Sequence, residues 1–234
     1  MPTKQKVSLF IIVVLLLLCF ILDEHSVLIL LLGLSFPLCI MAVGPYIYPL
    51  LRTGSQTRFY VLTISLFIPA LITSNNIIWA SDNASHFLVA ALGSILLLSL
   101  QIKGIIKSIR VSSLFPKMTF AVYTRQVLNI TFLTFGEEVL FRAFFMKQIP
   151  SINGFEYLIC GFVFSFYHYF NRYAKNIYTV KDYNYQFLLA VWLAVCFEMF
   201  NHSIMPVIFG HLVYNSTNYI VYTVQLLNHK QVDQ

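Results

Sequence analysis

Apolar runs separated by short polar, mostly basic stretches dominate this chain. Eight runs can be placed, roughly at 7–22, 26–50, 59–80, 86–101, 119–145, 155–170, 185–200 and 204–225. A membrane span takes about 20 apolar residues, so the pattern predicts an all-α, polytopic membrane helix bundle of about eight transmembrane helices. The second and fifth runs are long, and Pro37, Gly44 and Pro45 are positions where the second would bend or break. The sixth and seventh are short and read as tilted or half-buried in protein. Between the fourth and fifth, Ile105, Ile106, Ile109 and Leu114 interleave with Lys103, Lys107 and Arg110. That pattern suits an interfacial amphipathic helix and a plain basic loop equally well. No internal repeat and no soluble domain interrupts the series, so residues 1–234 read as a single integral membrane domain.

Composition agrees with the pattern. Of 234 residues, 59% are apolar and 10% charged, against about 25% charged in a soluble domain. The formal net charge of +6 sits mostly in the loops, where it fixes topology rather than binding nucleic acid. With a cytoplasmic N-terminus, the inner loops collect Lys4, Lys6, Arg52, Arg58, Lys103, Lys107, Arg110, Lys117, Arg172, Lys175, Lys181 and Lys230. The outer side holds Lys147 with Asp23, Glu24, Asp82 and Glu156. This asymmetry predicts two cytoplasmic termini. Lys4 and Lys6 ahead of Leu9 to Leu22 resemble a secretory signal, but Asp23-Glu24-His25 follows instead of a small-x-small site, so an uncleaved first span is expected. Cys19, Cys39, Cys160 and Cys196 lie inside apolar runs and read as small hydrophobes.

Against this background Glu137, Glu138 and Arg142 stand out in the middle of the fifth run. Each ionisable group at such depth costs about 2.5–3.5 kcal/mol on insertion scales. On a helix Glu138 and Arg142 share a face and suit a salt bridge, which leaves Glu137, about 100° away, to act on something else. The sixth run brings His168 one turn after Phe164, and the eighth brings His211 four residues before Asn215. Glu198, near the end of the seventh run, reads as interfacial or as a pairing residue. A buried structural cluster is the alternative for each element taken alone. Together they form the inventory of a hydrolase: a carboxylate to take a proton from water, an imidazole to hold that water, and a second imidazole and an amide to face a developing oxyanion. Ser165 has no matching acid–base argument as a nucleophile. Glu137, His168 and His211 also have the donor types of a His-His-Glu zinc site, although no HExxH is present; the cofactor is therefore none or zinc.

In this order, Glu137-Glu138-x-x-x-Arg142, Phe164-x-x-x-His168 and His211-x-x-x-Asn215 resemble the signature of the CPBP family, the CAAX-processing endopeptidases and bacteriocin-processing or immunity proteins also called Abi proteins. Asn201 to Pro206 resembles the family's turn before its last motif. The similarity covers about 119–220, taken as the catalytic core. It implies a helical intramembrane peptidase in which Glu137 is the general base and His168 helps hold the water. By the same resemblance His211 and Asn215 form the oxyanion hole, while Glu138, Arg142 and Phe164 support the site. The family name metalloprotease and a metal-free glutamate mechanism fit these residues equally well; the latter is preferred. The expected partners are membrane lipid and a peptide or membrane-protein substrate, prenylated or small. The compact chain favours a member from a bacterial plasma membrane. A non-catalytic immunity or scaffold protein of the same fold is the main alternative, and a transporter using the buried charges is a third, though the inverted repeat that would favour it is not seen.

Overall fold

The computed structural model describes residues 33–34, 55–72, 77–170 and 179–228. The first predicted run, nearly all of the second, and the stretch 171–178 lie outside the described residues, together with Lys4, Lys6, Asp23, Glu24, Arg52, Arg172, Lys175, Lys230, Cys19 and Cys39. The helices are α1 (Ser55–Ser65), α2 (Ile68–Ile72), α3 (Ala84–Ser99), α4 (Ile102–Ser112), α5 (Phe120–Glu138), α6 (Phe155–Phe170), α7 (Val180–Met199), α8 (Ile204–Tyr214) and α9 (Ser216–Leu227). A π-helical segment, Val139–Met146, continues α5 without interruption. The all-α expectation holds: among the described residues there is no strand, only an isolated parallel bridge between Ile78 and Ser203.

Three predicted runs are corrected. The run at 59–80 is not one helix, because Pro69 lacks an N–H and its ring would clash with the carbonyl one turn back. The chain turns at 66–67, and residues 77–80 have no helix. That stretch does useful work at the start of α8, where the first N–H groups lack intrahelical partners. Ile204 N–H donates to Ile78 O at 2.9 Å, Met205 N–H to Trp79 O at 3.2 Å, and Ser203 Oγ to Ala80 O at 3.1 Å. The run at 204–225 breaks at Asn215, a residue type that favours helix ends over interiors. The run at 119–145 stays continuous, but its second half widens into the π register. The stretch 102–118 contains a helix, α4, bent 76° from α3.

Among the described residues no single helix is long and apolar enough to cross a membrane, whereas α3 and α4 reach that length and composition together as a bent pair. The longer helices are diluted by charge: Arg125, Glu137 and Glu138 in α5, and Lys181, Asp182 and Glu198 in α7.

The core is aromatic and aliphatic, with Phe141, Phe144, Phe145, Phe164, Phe197, Leu189, Leu193 and Ile204 buried. α6 packs along α7, and α8 along α3. Gly210 permits the second approach, since a Cβ there would stand 3.0 Å from the Ala90 carbonyl oxygen. Backbone cannot swing aside as a side chain can. Gly210→Val is therefore expected to destabilise by about 1–3 kcal/mol through overpacking, more than the few tenths that valine gains over glycine in a helix. Thermal melting of the purified protein checks this.

Between α7 and α8 the chain reverses through Asn201 and His202, at φ 51° and 62°. His202 N–H donates to Phe197 O at 2.9 Å and closes the turn.

Candidate active site

The last turn of α5 presents Glu137 and Glu138 side by side, and the π segment brings Arg142 beneath Glu138. Arg142 Nε lies 3.1 Å from Glu138 Oε2, an ion-pair contact without hydrogen-bond alignment, with both side chains fully buried. Arg142 Nη2 donates to Ala190 O at 3.2 Å on α7. Its guanidinium carbon lies 5.2 Å from the Phe164 ring centroid. The other oxygen of Glu138 is 2.6 Å from His211 Nδ1 on α8. Glu138 thus ties α8 to its own helix, and its arginine adds α7 and, through Phe164, α6.

Glu137 is 3% exposed and takes no part in that pair. Its Oε1 is 3.5 Å from His168 Nε2, and its Oε2 is 3.9 Å from His211 Nε2. Oε1 is buried with no hydrogen-bond partner among the described residues. His168 Nδ1 is 3.0 Å from Phe164 O. A carbonyl only accepts, so Nδ1 carries the hydrogen there. In His211 the same nitrogen donates to the Glu138 carboxylate, which Arg142 keeps paired. In the neutral rings both Nε2 atoms therefore point lone pairs at the Glu137 carboxylate.

Phe164 contributes more than bulk. Its carbonyl orients His168, its ring lies 4.5 Å from His168 and 5.9 Å from His211, and its face meets Arg142. Asn215 lies beside the cluster: its Nδ2 donates to Thr134 Oγ1 at 2.9 Å, and Thr134 in turn donates to Ile130 O at 2.9 Å. The structure thus gathers Glu137, Glu138, Arg142, Phe164, His168 and His211, with Asn215 one helical turn beyond His211. Two residues that the sequence reasoning passed over belong to the same region. Thr134 is 1% exposed and looks in the sequence like one more residue of an apolar run. Tyr167 is 3% exposed and sits beside His168. Ser165 faces elsewhere, donating to Tyr183 O at 3.0 Å. Glu198 pairs with His202 at 3.0 Å near the surface, outside the cluster. Cys160 and Cys196 are buried free thiols.

Glu137, His168 and His211 have zinc-binding donor types, but among the described residues no three His, Cys, Asp or Glu side chains are arranged to hold a metal ion. The Nδ1 atoms are committed to Phe164 and Glu138, and the carboxylate of Glu138 is committed to Arg142 and His211.

The end of the π segment, the start of α6, the end of α7 and the turn before α8 meet around one surface pocket that includes Lys147, Glu156, Glu198 and His202. At a rise of 1.5 Å per residue, Glu137 lies about 15 Å below this end of the bundle, His168 about 20 Å and His211 about 10 Å. The three distant segments thus converge within a band about 10–20 Å below that end.

Residues 119–217 match the family model for Type II CAAX prenyl endopeptidase Rce1-like. The resemblance to the CPBP family is borne out over that stretch, which contains every residue of the cluster. The family is one of membrane-embedded proteases. No curated protein and no solved structure matches the chain.

Proposed function

We propose that this chain, matched through residues 119–217 to a family of membrane-embedded proteases, is an intramembrane endopeptidase that cleaves a peptide bond with water activated by Glu137. The observation that carries the reading is the facing of Glu137 by two imidazole nitrogens. The two Glu137 oxygens and the two Nε2 atoms, 3.5 and 3.9 Å apart in pairs, are too far apart for good direct hydrogen bonds, and their lone pairs repel. A water molecule that donates one hydrogen to Glu137 and the other to His168 Nε2 satisfies both and turns its own lone pair outward.

The reaction follows from that placement. The water oxygen attacks the carbonyl carbon as its proton passes to Glu137. The carbonyl π pair moves onto oxygen, which faces the His211–Asn215 wall. Collapse re-forms the carbonyl and breaks the C–N bond, and Glu137 returns the proton to the departing nitrogen. Glu138 fixes the tautomer and orientation of His211, and Arg142 is paired with Glu138 at 3.1 Å.

Depth argues for substrate class. A hydrocarbon core is about 30 Å thick, so groups about 10–20 Å below one end lie near its middle. α3 turns Leu88, Leu92 and Leu96 outward, each more than 60% exposed, as a lipid-facing stripe would be. The peptide bond must therefore be delivered into the bilayer, by a prenyl or other lipid anchor or as a small membrane-inserted peptide. The loop charges orient both termini to the cytoplasm.

Reconstitution in proteoliposomes with lipid-anchored and unanchored peptides tests the reading. His168→Ala is expected to lower kcat by about 10²–10⁴, the usual contribution of a proton-handling group, with the anchored peptides preferred. Excess chelator is expected to leave the rate unchanged. Wild-type protein that cleaves no peptide, or a His168→Ala rate equal to wild type, overturns it.

A further inference from the structure

We propose that the Tyr167 hydroxyl is a second hydrogen-bond donor to the scissile carbonyl oxygen as it becomes negative; this rests on the peptidase reading above. His211 gives its Nδ1 hydrogen to Glu138 at 2.6 Å, and the neutral ring then has only a lone pair at Nε2. Asn215 has one N–H committed to Thr134 at 2.9 Å and keeps one for a ligand. An oxyanion site usually aims more than one fixed donor at the developing charge, so the His211–Asn215 wall is one donor short while His211 is neutral.

Tyr167 has that donor. Its side chain is 3% exposed and its hydroxyl has no hydrogen-bond partner among the described residues. A buried hydroxyl left unpaired is costly, and such groups in native proteins call for an explanation. The ring is held between His168 of the site and Phe141 of the core. It meets the Phe141 ring edge-on at 5.4 Å and 71°, and the His168 ring at 5.4 Å and 81°. Phe141 lies one turn along from Glu137, and His168 Nε2 is 3.5 Å from Glu137 Oε1. A fixed ring whose O–H is buried beside the imidazole that faces the general base costs little reorganisation when charge forms.

Tyr167 donates a hydrogen bond and keeps its proton. At attack the proton passes from water to Glu137; at collapse the C–N bond breaks and that same proton passes from Glu137 to the nitrogen.

The test compares wild type, Tyr167→Phe and Glu137→Gln in proteoliposomes with one anchored peptide. Removing a donor to an oxyanion costs about 100-fold in kcat. Tyr167→Phe should show that loss with KM within about twofold, and a phosphonate analogue of the tetrahedral intermediate should bind about 100-fold more weakly. Its melting temperature should be unchanged or higher, since no resting hydrogen bond is removed. A wild-type rate in Tyr167→Phe beside a dead Glu137→Gln overturns the Tyr167 assignment and leaves the peptidase reading standing. Wild-type rates in both overturn the peptidase reading itself. A slow Tyr167→Phe protein that also melts lower, or that binds the phosphonate as wild type does, assigns the hydroxyl to structure and overturns the proposal.

Discussion

Glu137→Gln should reduce single-turnover peptide cleavage by about 10⁴-fold, the upper end of what a positioned general base contributes, while the protein melts at the same temperature or higher. The amide keeps the shape of the carboxyl group and cannot take a proton from water. Its effect on stability has the opposite sign for a physical reason. In the wild-type protein the buried Glu137 carboxyl group faces two imidazole nitrogens at 3.5 and 3.9 Å, and among the described residues one of its oxygens has no hydrogen-bond partner. An amide of the same shape carries no ionisable group to bury and has two N–H donors. A more stable, inactive variant is the signature of a residue kept for chemistry at the expense of packing. Unchanged turnover in Glu137→Gln, measured with substrate in the same bilayer, would remove Glu137 as the base. A loss of melting temperature with loss of turnover would make it a structural residue.

Much of this site was legible in the sequence because its pairs are local. Glu138 and Arg142, Phe164 and His168, and His211 and Asn215 are each four apart, and helical spacing places each pair on one face. The sixth run, read as 155–170, coincides with α6, and the fourth with α3 to within two residues. What periodicity does not encode is which faces meet. The partner of His211 Nδ1 is Glu138, 73 residues away, and that of Asn215 is Thr134, 81 residues away. Both contacts depend on how α8 crosses α5. Nothing local distinguishes Thr134 from the hydroxyl residues that bond only within their own helix. The break at 66–67 was available from Pro69, but the apolar run masked it. The extended 77–80 stretch was not, because its hydrogen bonds are all to the distant start of α8. The π register of Val139–Met146 is likewise a tertiary outcome, since its sequence of leucine, phenylalanine and methionine suits an ordinary helix as well. Such π segments gather at functional sites, and this one carries Arg142.

Arg142→Leu should destabilise the protein by about 3–5 kcal/mol, the cost of removing one member of a buried ion pair. Glu138 would remain fully buried with His211 as its nearest remaining partner, and the Ala190 carbonyl would lose a donor. The double change Glu138→Leu with Arg142→Leu should recover most of that loss, because the uncompensated charge disappears and similar volume is filled. Melting curves of the two single variants and the double variant give the coupling directly. Activity should not recover in parallel. Without Glu138 the His211 ring loses its only hydrogen-bonded anchor at Nδ1, and the wall opposite Glu137 is no longer oriented. A double variant that is stable and inactive separates the two tasks of Glu138, compensating Arg142 and steering His211. A double variant that is stable and cleaves at the wild-type rate would show that the pair serves only the bundle, and that His211 needs no fixed tautomer to do its part.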